Sequence, residues 1–250
     1  MNRHRSTSRL PASCAALLAA AGLALAGCSS SSSLSASAAS PAGGSSASAG
    51  TSSGGSFTGT PLFPVTVGNT WVYQVTTVGI PGGTAVDKVT AVVPAAGGNQ
   101  VTTTHEFHGT TVKETLLFGP DGTISMPLPS LGSSTFKIRS GGIVWPSHAQ
   151  IMSGQPFNST VKATVTIAGQ AHNVSTHVTV QGAGPATVTV PAGTYHATVI
   201  DDTLTEKFMG VSVSLRIRTW LAPGVGPVKS EVTTDGTTVS NEELKSFTKG

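Results

Sequence analysis

From residue 70 onward, apolar and polar side chains alternate in short runs rich in Val, Thr and Ile, broken by Gly, Pro and Asp. A period of two puts successive side chains on opposite faces, the pattern of strands with one buried and one wetted side. The cleanest run is 211–221, where Val211, Val213, Leu215 and Ile217 share one face and Ser212, Ser214, Arg216 and Arg218 the other. Residues 161–167 and 170–180 flank Ala168-Gly169. A two-residue turn there sets Val165 against His172, Ala163 against Val174 and Val161 against Thr176, mostly apolar on apolar. Asp235-Gly236 is the strongest hairpin signal and predicts Val232 opposite Val239; Asp121-Gly122 is a weaker one. Further strands are predicted at 71–78, 84–93, 100–108, 111–118, 134–139, 186–190 and 194–208. Only 241–249 offers a helical alternative, with Asn241 as cap and Glu242-Glu243 in the first turn.

The pattern predicts an all-β domain, an antiparallel meander of about 11–12 strands, each beside its neighbour in sequence. With no helices to cover one face, so many strands must curl or split into two layers to bury their apolar sides. A sandwich and a half-open barrel both satisfy this requirement.

The first sixty residues follow different rules. Residues 1–9 are basic and free of acids, and 10–26 form an apolar run rich in Ala and Leu, as in an export signal. The run ends in Leu25-Ala26-Gly27-Cys28, which resembles the lipobox of bacterial lipoproteins, here of actinobacterial type. The resemblance implies cleavage between Gly27 and Cys28 and a diacylglyceryl group on the Cys28 thioether, with palmitate-like chains holding the protein on a membrane. A retained transmembrane anchor is disfavoured, because spanning takes about 20 strongly apolar residues. Residues 29–60 are almost wholly Ser, Ala, Gly and Thr, too poor in apolar surface to offset the entropy of ordering. As a flexible coil they would reach about 30 Å. The expected organisation is a signal peptide over 1–27, a lipidated tether over 28–60 and the all-β domain over 61–250.

Charge narrows the partners. Three of the fourteen basic residues, Arg3, Arg5 and Arg9, precede Cys28, leaving eleven against eleven acidic residues in the mature chain. Without a basic run the footprint of a nucleic-acid binder is missing, as is a polybasic patch for anionic lipids. The two cysteines are Cys14, inside the leader, and Cys28, so the domain can form no internal disulfide.

No catalytic constellation emerges. His105 and His108 bracket Glu106, but in a strand residues three apart face opposite ways, and the same parity separates His172 from His177. With no HExxH and no cysteine in the domain, neither a metal site nor a cofactor is predicted. No Gly-x-Ser-x-Gly elbow is present. Asp201-Asp202 with Glu206 is the densest acidic cluster and could serve as a carboxylate pair or a calcium site. If Met209-Gly210 closes a hairpin, however, Asp201 falls opposite Arg218 as a cross-strand ion pair on the wet face. Trp71, Trp145, Trp220, Tyr73 and Tyr195 read as core and sheet-end packing ahead of a ligand pocket. Asn158-Ser159-Thr160 and Asn173-Val174-Ser175 fit a glycan acceptor pattern that carries little weight in a bacterium.

Three segments, Gly68-Asn69-Thr70-Trp71-Val72-Tyr73, Val190-Pro191-Ala192-Gly193-Thr194-Tyr195 and Trp220 through Lys229, resemble landmarks of largely uncharacterised β-rich envelope lipoproteins. That resemblance implies an antiparallel sheet domain and no reaction. Some exported lipoproteins with curved half-barrel sheets carry lipids, and this chain departs from them in lacking their helices. The expectation is a membrane-anchored extracytoplasmic lipoprotein, non-enzymatic, with a binding or envelope-interaction role and an apolar ligand in the curved sheet. The alternatives are a structural or protein-partner surface module and, further off, a cell-wall hydrolase.

Overall fold

A computed structural model describes residues 61–126, 136–167, 170–208 and 211–250. Gly27, Cys28 and the expected tether lie outside the described residues, as do the turn residues Ala168-Gly169 and Met209-Gly210.

The described chain is a single antiparallel sheet of thirteen strands, so of the two predicted architectures the two-sheet sandwich is excluded. In chain order the strands are β1 (Thr70–Thr77), β2 (Ile80–Ala95), β3 (Gly98–Phe107), β4 (Thr110–Phe118), β5 (Ile124–Ser125), β6 (Phe136–Ser140) and β7 (Val144–Trp145). One short helix, α1 (His148–Ser153), follows. Then come β8 (Phe157–Ile167), β9 (Gln170–Val190), β10 (Gly193–Phe208), β11 (Val211–Ala222), β12 (Gly226–Thr234) and β13 (Thr237–Thr248). The sheet order is β6-β8-β9-β10-β11-β12-β13-β1-β2-β3-β4-β5-β7. The chain starts in mid-sheet, meanders through β5 towards one edge, visits the far edge as β6, returns to the first edge as β7, then crosses again to β8 beside β6 and meanders back, so that β13 closes against β1.

The sheet is not hydrogen-bonded into a barrel, yet its two terminal strands cannot be far apart. β6 and β7 are joined by Gly141-Gly142-Ile143 alone, and four Cα steps span at most about 15 Å. The sheet therefore curls until its edges meet at one corner through a covalent link. Gly141 sits there at φ 81, and a Cβ at that position would collide with the carbonyl oxygen of Thr160 on β8.

Most predicted pairings hold. Val165 faces His172, Ala163 faces Val174 and Val161 faces Thr176. Four expectations change. Residues 170–190 form one continuous strand instead of two. Val232 lies opposite Ser240, not Val239, because the ladder slips by one residue between Val232 and Thr233; the slip keeps the almost fully buried Val232 turned inward. The helical alternative at 241–249 gives way to β13, which gains a full ladder with β1 along its length. Conversely, α1 was not expected. It is built on a capping box, with the Ser147 hydroxyl accepting from the Gln150 N–H and the Gln150 side chain accepting from the Ser147 N–H, and it ends at Gly154 in the left-handed region.

Inside the curl, one apolar cluster joins Trp71, Tyr73 and Val75 of β1 to Ala85, Val89, Val101 and Phe107, and to Val190, Ala197, Ala222, Val228 and Leu244 of the returning strands. The three landmark segments meet here. The Trp71 indole donates to the Val225 carbonyl, the Tyr73 hydroxyl donates to the Pro227 carbonyl at 3.0 Å, and the Ala192 N–H donates to Leu244 at 2.9 Å. A second cluster holds Leu62, Ile151, Val178, Val180, Ile200 and Leu221, and a third holds Leu116, Ile124 and Met126; Phe63 and Trp145 pack against both. The segment leading into β1 thus fills the base of the curl from within. The three tryptophans belong to this packing, as their sequence context suggested.

Candidate functional site

The same alternation that builds the core brings four ionisable side chains onto the inner face. On β2, Asp87 stands between the buried Ala85 and Val89; on β3, His105 stands between Thr103 and the buried Phe107. Asp87 and His105 are direct cross-strand partners, and the His105 Nδ1 lies 2.6 Å from the Asp87 Oδ1. On β4, Glu114 faces Thr103 and precedes the buried Leu116 on the same face. From the other side, β13 sets Glu242 opposite Val75 of β1, between the buried Ser240 and Leu244. Parity thus directs all four inward, beside Tyr73, Val75 and Phe107.

Their electrostatics share one cause. Burial raises the Glu242 carboxyl to about 8, with Asp87 pushing the same way and His105 opposing. Glu114 is raised to about 7 by burial and Asp87, again against His105. Burial alone would lower His105, but its hydrogen bond to Asp87 and the charges of Asp87, Glu242 and Glu114 raise it. Tyr73 is held well above its ordinary range by burial, then by Asp87 and Glu242. Only 6% of Glu242 is exposed, and among the described residues no hydrogen bond reaches its carboxyl.

A second inward pair sits on β10. Asp202 accepts from the Trp145 indole at 3.1 Å through Oδ2, while its Oδ1 is buried without a hydrogen-bond partner among the described residues. Burial raises it to about 7, with the indole opposing. Glu206, four residues on, accepts from the Thr176 hydroxyl and is also raised by burial. The acidic run read from the sequence is therefore split. Asp201 points outward, opposite Arg218 as predicted, and accepts from Arg218 at 2.8 and 2.9 Å and from Arg216 at 2.7 Å. It is no member of a carboxylate pair with Asp202, because neighbours along a strand face opposite ways.

The histidines separate as their spacing required. His108 lies in the β3–β4 turn at φ 49, its Nε2 2.9 Å from the Pro81 carbonyl, far from the inward role of His105. His172 shares the inner face with the buried Val174, whereas His177 is outward, 3.2 Å from the Thr160 hydroxyl. Among the described residues, no three His, Cys, Asp or Glu side chains converge so as to hold a metal ion. Sequence reasoning missed Asp87, Glu114 and Glu242. The available signal was a charged residue on the apolar phase of an alternating strand.

Space within the curl is limited at its base. Pro61, Leu62, Phe63, Phe118, Gly122, His148 and Ile151 enclose about 60 Å³. An open depression of about 390 Å³ lies at the turn end of β4, lined by Leu117, Gly119, Pro120 and Asp121 among others.

The sequence matches the DUF3108-like family model over residues 67–244. Among curated proteins no relative matches. Of solved structures, a putative lipoprotein from Parabacteroides distasonis superposes with a TM-score of 0.54 at 16% identity, covering 76% of this chain and 99% of its own. A putative exported protein with YmcC-like fold from Bacteroides fragilis gives 0.52 at 17% identity, covering 75% and 98%. For the hypothetical lipoprotein YmcC from Escherichia coli the score is 0.34 at 7% identity, over 72% and 84%. The first two likenesses show a common fold.

Proposed function

Since the chain belongs to the DUF3108-like family, we propose that it is a membrane-anchored extracytoplasmic lipoprotein, non-enzymatic, whose curled sheet offers its inner face to a ligand. Cys28 carries the anchor in this reading, Gly27 ends the signal, and residues 29–60 let the domain sample the space above the bilayer. The fold it shares with a lipoprotein and an exported protein supports the address.

One observation carries the binding role: the inner face bears ionisable groups that the fold itself leaves uncompensated, at the cost of burying them. A catalytic reading would need a nucleophile next to a base. Among the described residues His105 is bonded to Asp87, and no hydrogen bond joins it to a Ser, Thr or Cys. The base of the curl is occupied by Leu62, Phe63, Trp145 and Ile151, with Asp202 held by Trp145, so in this reading the wall around Asp87 and His105 is the part that meets the ligand.

The test is mass spectrometry of the chain extracted from its native host, with membrane fractionation of a Cys28→Ser variant. A diacylglyceryl mass on Cys28 and release of the variant into the soluble fraction are expected. A bare thiol, or a variant that fractionates like the parent, would contradict the reading.

A further inference from the structure

We propose that Asp87, His105, Glu114 and Glu242 form a binding site for a linear polyamine on the inner face of the sheet. The inference rests on the reading of the domain as a binding module and names the chemistry of its ligand.

Asp87, His105 and Glu114 stand on the consecutive strands β2, β3 and β4, and the β13–β1 pairing brings the sequence-distant Glu242 to the same face. Asp87 is the middle member, two strands from Glu242 on one side and two from Glu114 on the other. In register Glu242 is level with Gly83 and Glu114 with Val89, on either side of Asp87 along β2, and the curl of the sheet brings the charges of all three carboxyls to bear on His105. Asp87 already has its partner in His105 at 2.6 Å. Among the described residues Glu114 and Glu242 have none of their own, and His105 is the one cation that acts on either. The cations of the neighbouring strands are turned outward by parity or committed elsewhere. Lys88 and Lys113 stand on the outer phase of β2 and β4, and Lys229 pairs with Glu231 and Glu243 at 2.9 and 3.4 Å.

Within the cluster, Glu242 is a residue more than nine-tenths buried, turned into the same face, with no hydrogen bond to its carboxyl among the described residues. Ionising a carboxyl in so buried a place is costly without a donor, and a charged donor would lower that cost. When an ammonium docks beside each of these carboxyls the carboxyl gives up its proton to solvent, so two of them flanking a paired carboxylate accommodate two positive charges separated by a spacer. A single metal ion does not meet this requirement, since among the described residues no three donors converge. Ammonium groups joined by methylenes do, and Tyr73, Val75 and Phe107 supply apolar wall for the methylenes.

The test is calorimetric titration of spermidine into the full chain in a non-ionic detergent, beside n-butylamine and calcium chloride. Spermidine should bind more tightly than either control, and E242Q and E114Q should each weaken it by about tenfold or more, the effect of losing a charged hydrogen bond. Thermal melts establish that each variant is folded. Should E242Q fail that check, E114Q, at a partly exposed position, decides alone. The proposal is overturned if spermidine gives no binding heat, if calcium binds equally well and is equally lost in E242Q, or if both folded variants keep the parental affinity. A null titration on a chain shown to carry its acyl group removes the polyamine and leaves the anchored-module reading standing.

Discussion

Asp201 and Glu242 are carboxylates in the middle of long antiparallel strands, and they occupy opposite regimes. Asp201 faces outward, where burial alone would raise it, yet the guanidinium groups of Arg218 and Arg216 draw it below the ordinary carboxylate range. Glu242 faces inward among Val75, Ser240 and Leu244 and keeps its proton up to about 8. On the outer face Asp201 is thus matched by two guanidinium groups and Lys229 bridges Glu231 and Glu243, while on the inner face, among the described residues, His105 is the one cation that acts on Glu242 and Glu114. A carboxylate held by cations is ionised through the neutral range, whereas one buried without them holds its proton there.

The contrast sets a scale of effects. Truncating the fully buried inner residue in Leu244→Ala should cost about 2–5 kcal/mol, as for other buried leucines. Its outward neighbour in Glu243→Ala should cost below about 1 kcal/mol; urea denaturation of both measures the difference. Next comes pH. Glu242, Glu114, Asp202 and His105 are all raised in the folded state, so the folded chain binds more protons than the unfolded one near neutrality. Their contribution is complete below about pH 4 and lost as pH climbs through 7 and 8. Glu242→Gln should flatten that fall. Asp201 acts with the opposite sign, present above its unfolded value and lost only in strong acid. Denaturant midpoints between pH 4 and 9 record both limbs.

Smaller still, Trp145→Phe removes the donor to a nearly buried Asp202 and should cost about 1–3 kcal/mol. The penalty should shrink below pH 7, where the carboxyl carries its proton. Last, Arg218→Ala should cost no more than about 1 kcal/mol, because the pair is half-exposed and Arg216 still reaches Asp201. A melting point as low as that of Leu244→Ala would erase the distinction between the faces.

Strand existence, face and most hairpin registers were legible in residues 161–180 and 211–221, because alternation and two-residue turns are local and each fixes the next pairing. The Asp201–Arg218 pair followed from one hairpin. The closure of β13 on β1 was not legible, since nothing in residues 237–248 names a partner some 170 positions away. The acid site depends on that closure and was missed with it. Yet each of its members stood on the apolar phase of its own strand, Asp87 between Ala85 and Val89 and Glu242 between Ser240 and Leu244. A charge in that position is a local signal whose meaning is set by distant strands. Helix α1 escaped because six residues carry too little periodicity, although its Ser147 and Gln150 form a readable cap.

The inner acids can be followed atom by atom with carboxyl carbon NMR of the full chain across pH 3 to 10, Glu242→Gln and Glu114→Gln supplying the assignments. Midpoints near 8 for Glu242 and near 7 for Glu114 are expected, with Asp201 titrating below the ordinary aspartate value. If Glu242 and Glu114 instead lose their protons in the usual range of exposed glutamates, the inner face is no reservoir of uncompensated acid and the account fails.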